Sequence, residues 1–345
     1  MKSFIILSVL ALVGSCAETK YSKKIENLDN GVQITDSTLV TKYANTITAE
    51  ELKSNLYIFA SKDYEGRAVG KPGQIKAVNF LKHFYVKENI APAINDSTYF
   101  QTIPASFLPE GTGDSQNVLA YIKGSEKPEE VLIISGHLDH IGVENEDIYF
   151  GADDNGSGSM AILEIAQAFK IAEREGHRPK RSVLFMHLTA EEIGLQGSLY
   201  YTQNPIFDLN KTIANLNIDM IGRVDDRHKD NPNYIYIIGA DRISKELNFV
   251  SEKANNSFTN LELDYKYNAE DDSNNYYYRS DHYNFAKQNI PVIFYFNGEH
   301  PDYHKPTDTP DKINYSLLEK RTKLIFATAW QLANKDKMLK HNEDI

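Results

Sequence analysis

The sequence predicts an α/β fold with a mostly parallel, mixed central sheet and helices on both faces. Three observations carry this prediction. Short apolar, β-branched runs such as Val131–Ser135 and Ser182–Leu188 have the length and composition of strands buried on both sides. Segments with apolar residues at helical spacing lie between such runs, and strands alternating with helices imply a covered, mostly parallel sheet. Both runs also stop abruptly in acids and histidines, Gly136-His-Leu-Asp-His140 after the first and Thr189-Ala-Glu-Glu-Ile-Gly194 after the second. In an open α/β sheet these groups lie at the carboxyl edge, where ligands bind because the loops diverge.

Taken in order, Thr48-Ala-Glu-Glu51 is a capping-box pattern, with Leu52, Leu56 and Phe59 at helical spacing behind it. Residues 64–73 hold three glycines and a proline and predict a loop. A second helix follows, with Ala77, Phe80, Leu81 and Phe84 on one face. Asn117–Lys123 and Val131–Ser135 are expected strands joined by a polar turn, Asn155–Glu175 a helix, Ser182–Leu188 a strand and Glu191–Tyr201 a further helix. Ile213–Ile218, Tyr234–Ile238 and Pro291–Phe296 complete the expected strands. Ser316–Asn334 closes the chain as a helix, with Ser316 and Glu319 as a second capping box. The polar, tyrosine-rich stretch Asn268–Arg279 is expected to be a loop beside the site.

A chain of 345 residues can bury one large core, and a single main domain over residues 46–345 is expected. A net charge of -11 is unfavourable for binding phosphate backbones and excludes nucleic acid as a partner class. Lys2 followed by an apolar run from Phe4 to Val13 has the length of a signal-peptide core, too short to span a bilayer. Val13-Gly-Ser-Cys16 is similar to a bacterial lipobox, so residues 1–15 are expected to be removed and Cys16 to carry lipid, placing the protein on a bacterial membrane in the cell envelope. The alternative is an ordinary cleaved signal and a secreted protein. Cys16 is the chain's only cysteine, which rules out an intramolecular disulfide. Residues 16–45 are expected to be a tether. Nothing in the sequence fixes an oligomeric state.

The candidate metal-binding groups are His137, Asp154, Glu192, Asp219 and His304, each expected just beyond a strand. Imidazole and carboxylate are zinc ligands at about 2.0–2.2 Å. Three bare carboxylates brought together repel one another strongly, so convergence of all five requires a cation, and two divalent ions with a bridging hydroxide would bring the cluster to neutrality.

The ordered set His137-Leu-Asp139, Gly151-Ala-Asp-Asp154, Thr189-Ala-Glu-Glu192, Asn217-Ile-Asp-Met220, Ser280-Asp-His282 and Tyr303-His304 with Asp308-Thr309 resembles the dizinc aminopeptidase family, which includes glutamate carboxypeptidase II and, more distantly, glutaminyl cyclases and the transferrin receptor. The resemblance runs from about Thr48 onward, and Glu65-Gly-Arg67 is similar to the family's N-terminal segment. It implies a zinc-dependent exopeptidase fold, peptide substrates and two zinc ions. Asp154 would bridge them, with His137 and Asp219 completing one site and Glu192 and His304 the other. Asp139 would orient His137, and Asp308 would do the same for His304. Glu191 matches the general base and Tyr277 the hydroxyl facing the oxyanion, with Tyr276 and Tyr278 as rivals. Ser280, Asp281 and His282 would support the site. The implied reaction is hydrolysis of the N-terminal peptide bond by a metal-activated water. The rival readings are a glutaminyl cyclase-like acyl transferase and a non-catalytic binding homologue.

Overall fold

The computed structural model describes residues 20–94 and 97–345. The expected signal peptide and Cys16 lie outside the described residues. In chain order the strands are β1 (Ala91–Pro92), β2 (Phe100–Ile103), β3 (Ser115–Ile122), β4 (Lys127–His137), β5 (Gly142–Glu144), β6 (Asp147–Tyr149), β7 (Arg181–Leu188), β8 (Thr212–Ile218), β9 (Tyr234–Ile238), β10 (Glu262–Asp264) and β11 (Val292–Phe296). All but the β5–β6 hairpin belong to one sheet, ordered β1-β3-β7-β4-β8-β11-β9-β10, with β2 also paired to β3. The central strands β7, β4, β8 and β11 are parallel, β3 and β9 run antiparallel to that centre, and β10 runs parallel to β9. The two strands expected on either side of a polar turn, β3 and β4, are not neighbours, because β7 lies between them.

The helices are α1 (residues 20–31), α2 (Ser37–Ala44), α3 (Ala49–Phe59), α4 (Pro72–Lys87), α5 (Gly158–Arg174), α6 (Gln196–Gln203), α7 (Lys245–Phe258), α8 (His282–Ala286) and α9 (Tyr315–Asn334). The centre of the sheet is apolar on both sides because successive side chains alternate between faces. Leu132, Ile134, Val183 and Phe185 face one way, onto Ile162, Ile165 and Phe169 of α5 and Phe326 and Trp330 of α9. Val131, Ile133, Leu184 and Met186 face the other way, onto Tyr201 of α6 and Phe285 of α8. Phe169 stacks on Trp330 at 5.7 Å between ring centroids. Burial of each such side chain stabilises the fold by about 1.5–3 kcal/mol.

Several elements differ from expectation. The expected tether is helical over 20–31 and 37–44, and Val40 and Tyr43 of α2 are buried in the core, Tyr43 with its hydroxyl 2.8 Å from Glu175. Two large apolar residues a turn apart suffice to dock so short a helix. Thr48 does cap α3, accepting from the Glu51 amide. At α9 the cap is Asn314, which accepts from the Leu317 amide, while Glu319 instead accepts from the Ala49 amide of α3. The expected loop 64–73 is partly a 3-10 turn, Lys62–Arg67, and α4 starts at Pro72, whose fixed φ suits a first helical turn. The helix expected from Glu191 begins only at Gln196, because Glu191–Leu195 forms a turn closed by a left-handed Leu195. The helix expected from Asn155 starts at Gly158, after a π-type turn over Ala152–Ser157.

Candidate metal centre

The strand ends deliver the acids and imidazoles to one place. His137 is the last residue of β4, Glu191 and Glu192 follow β7, Asp219 follows β8, His304 lies in the turns after β11, and Asp154 sits in the π-type turn that precedes α5. Ala190, Met220 and His304 adopt left-handed φ of 57°, 58° and 53°. For residues bearing a Cβ this costs about 1–2 kcal/mol each and is tolerated where the surroundings impose it, commonly at functional sites.

The five expected ligands converge. His137 Nε2 lies 3.3 Å from Asp154 Oδ1 and 3.2 Å from Asp219 Oδ1. His304 Nε2 lies 3.0 Å from Asp154 Oδ2 and 3.3 Å from Glu192 Oε2. Asp154 therefore spans the two halves, one oxygen towards His137 and the other towards His304. A sixth group, not singled out from the sequence, is His140, buried with Nδ1 2.8 Å from Glu192 Oε1 and 3.6 Å from Asp154 Oδ2. The run Gly136–His140 displayed it, but a loop residue's direction is not set by strand periodicity.

The supporting contacts of Asp139 and Asp308 run largely through backbone groups. Asp139 meets His137 Nδ1 through its backbone carbonyl, at 3.1 Å, with its nearer carboxylate oxygen at 3.9 Å. Its carboxylate instead accepts from the Glu191 and Glu192 amides at 3.2 and 3.3 Å, fixing the turn that carries both glutamates. Asp308 does not orient His304. Its Oδ2 accepts from the Asp153 and Asp154 amides at 2.9 and 3.1 Å, so it holds the π-type turn. Asp219 is held by a polar chain across the sheet: Ser280 Oγ donates to Asp219 Oδ2 at 2.7 Å, Asn217 Nδ2 to Ser280 Oγ at 2.8 Å, and Ser135 Oγ to Asn217 Oδ1 at 2.8 Å. That chain occupies Oδ2 and leaves Oδ1 facing the centre. Arg67, fully buried, donates to the carbonyls of Leu138, Phe150 and Gly151 at 2.8–2.9 Å and so ties together two loops behind the site.

Tyr277, expected to face the oxyanion, is not among the residues that line the cleft. In the 3-10 turn Tyr276–Tyr278 successive side chains diverge by about a third of a turn, so only some of them can face the cleft. Tyr277 lies under the Arg242 guanidinium, 3.9 Å from its ring centroid, and faces away. Tyr276 and Tyr303 line the cleft, beside Met220, Phe294 and Phe296, with Arg279 and Glu299 at its rim.

The electrostatics show an excess of negative charge. Burial alone would raise the Asp154 carboxyl and lower the histidines, yet His140, His137 and His304 hold Asp154 well below the usual carboxylate range. In turn Asp219 and Glu191 outweigh burial to push His137 up, and Asp154 and Glu192 push His304 up to about 10. Protons on the imidazoles thus supply the positive charge that the carboxylates require. Asp154 Oδ2 is buried and makes no hydrogen bond of ordinary geometry, as a lone pair aimed at a cation would. A divalent metal fits this donor set and would displace those protons. At this centre two donor groups meet the spacing for an ion, His137 with Asp154 and Glu192, and His137 with Glu191 and Asp219. Burial, against the pull of His137, pushes the Glu191 carboxyl well above the usual range, and it lines the cleft beside the centre.

Comparison with known proteins agrees with this geometry. Over 300 residues the chain is 29% identical to leupeptin-inactivating enzyme 1 of Streptomyces exfoliatus, covering 81% of this chain and 60% of that protein. It is 26% identical to a probable leucine aminopeptidase of Trichophyton verrucosum over 83% of this chain and 74% of the relative. Among solved structures, the LapA aminopeptidase of Legionella pneumophila shares the fold, with a TM-score of 0.68 at 22% identity, over 88% of this chain and 77% of that one. The profile of peptidase family M28 matches residues 117–329, well over half the chain and the whole stretch from β3 to α9 on which the converging groups lie. By that match the chain belongs to peptidase family M28.

Proposed function

We propose that the protein is a zinc-dependent aminopeptidase that removes the N-terminal residue of peptides. The observation that carries this reading is the convergence of His137, Asp154, Glu192, Asp219 and His304 on one centre, with Glu191 beside it in an open cleft. Asp154 would bridge two zinc ions, His137 and Asp219 completing one site and Glu192 and His304 the other. When bound, the ions lower the pKa of a water and polarise the scissile carbonyl. Glu191 accepts the proton of that water and returns it to the leaving amine, a task suited to a carboxylate whose proton affinity burial has raised. Asp139, through the two amides it accepts, keeps Glu191 towards the cleft and Glu192 towards His304. The Tyr276 and Tyr303 hydroxyls are the phenolic donors available to a developing oxyanion. Met220, Phe294 and Phe296 form an apolar wall suited to an apolar first residue.

The test uses aminoacyl-nitroanilides with free and blocked amines. Cleavage of the free series alone supports the aminopeptidase. Equal cleavage of blocked substrates points to another peptidase, and cyclisation of glutaminyl peptides without hydrolysis points to an acyl transferase.

A membrane anchor through lipidated Cys16, and with it a place in a bacterial cell envelope, also belongs to this reading. It rests on the apolar run and Val13-Gly-Ser-Cys16. Full-length protein expressed in a bacterium should enter the detergent phase, and Cys16→Ser should release it; retention of the variant in membranes would place the anchor elsewhere.

A further inference from the structure

A second cluster of metal-binding side chains lies outside the cleft. His228, Asp264 and Glu262 each present one donor atom, all within 4.8 Å of one another. His228 ends a short 3-10 turn, Asp226–His228, while Glu262 and Asp264 lie on the edge strand β10.

The His228 ring is almost wholly buried, stacked on Tyr234 at 3.5 Å between centroids. Its Nδ1 lies 2.8 Å from Asp225 Oδ1, and the second oxygen of Asp225 accepts from Tyr236. A carboxylate accepting from one ring nitrogen fixes the tautomer and turns the other nitrogen's lone pair outward, the arrangement found behind metal-bound histidines. The other ring nitrogen, Nε2, lies 3.2 Å from Asp264 Oδ2. Asp264 is aligned independently, since its Oδ1 accepts from the Lys266 amide at 2.7 Å while its Oδ2 lies towards His228 and Arg227. Glu262 uses one oxygen for Asn231 and keeps the other. Arg227 Nε is 3.2 Å from Asp264 Oδ2, and its side chain is 55% exposed, so it can swing into solvent.

We propose that His228, Asp264 and Glu262 hold a divalent transition-metal ion of the zinc class, with water completing its coordination. One imidazole and two carboxylates suit zinc, cobalt or manganese better than calcium, which prefers an all-oxygen shell. The ion would clip the edge strand β10 to the loop that carries Asp225. That loop reaches the cleft: a Cβ added at Gly298 would come within 2.6 Å of Asp225 Oδ2, and the next residue, Glu299, lines the rim. The site is independent of the cleft ions and of the reaction proposed for them.

The experiment measures zinc retained by the full chain after stripping, reloading and desalting. His228→Ala and Asp264→Asn should each retain one ion fewer than the unmodified protein, whereas His137→Ala, which disrupts the cleft, should keep this ion. In the His137→Ala background, cobalt should give visible absorption that His228→Ala lowers by one ion's share. Equal zinc in the unmodified protein and both variants would overturn the proposal and leave His228 and Asp264 as an ion pair only. Should those two variants fail to fold, Glu262→Gln, at an exposed strand position, is expected to weaken retention at least tenfold; unchanged retention there also overturns it.

Discussion

Glu191 and Glu192 are chain neighbours with divergent surroundings. Glu192 contacts His140 and His304, whereas Glu191 stands with His137 and Asp219. If Glu191 moves the proton, Glu191→Gln should keep its zinc and lose about 10²- to 10⁴-fold in turnover. Glu192→Gln should lose metal first and activity as a consequence. Zinc stoichiometry and turnover measured on both variants decide the matter, and full activity in Glu191→Gln would sink the mechanism. The donors at strand ends were legible because a buried strand announces its own end and the residue after it has few directions to take. His140, the carbonyl contact of Asp139 and the place of Tyr276 rather than Tyr277 on the cleft wall were not, since each depends on how a loop turns after it leaves the sheet. Arg67 showed the same limit: its motif was visible in Glu65-Gly-Arg67, but three of its four carbonyl partners come from residues 138–151.

At the scale of the element, α5 carries an acid inside the core. Glu164 is buried, and burial, with Glu51 and Glu88 adding like charge against a pull from the Thr48 backbone, pushes its carboxyl up to about 8. Below the unfolded pKa of about 4.3 both states hold the proton and no stability is lost. As pH rises from there towards 8, the unfolded chain releases the proton while the folded chain keeps it, so stability falls, and the loss is complete above 8. The full effect is on the order of several kcal/mol. Glu164→Gln does not titrate, so its urea midpoint should gain on that of the unmodified protein between pH 5 and pH 8.5. Parallel pH profiles for the two proteins would show that Glu164 is solvated in the fold. Helices α3, α4, α5 and α9 followed from apolar spacing, while α5 and α6 start a few residues late where a π-type turn or a left-handed Leu195 intervenes.

For the whole molecule, the N-terminal segment is a packed part of the domain. Tyr43 lies 5.6 Å from Trp330 between ring centroids, and Thr35 and Gln331 exchange hydrogen bonds of 2.9 and 3.0 Å. Polar composition concealed this, because three buried side chains in an eight-residue helix leave little periodicity to detect. Deleting residues 20–44 should lower stability by about 3–6 kcal/mol, the value of burying Val40 and Tyr43, while turnover at low temperature persists. An unchanged denaturation midpoint would restore the tether.

The parallel centre of the sheet has one further consequence. β4, β7, β8 and β11 all point their carboxyl ends at the same cluster of acids, so without a cation those ends repel one another while the opposite ends stay paired. A metal there acts as a drawstring on a fan. Removing it with a chelator should loosen the strands from one end only, with backbone amides near Gly136, Leu188 and Ile218 exchanging with deuterium faster and those near Leu132, Val183 and Ile213 keeping their protection. Uniform loosening along each strand would mean that the sheet, and not the charge at its edge, sets the rigidity of the cleft.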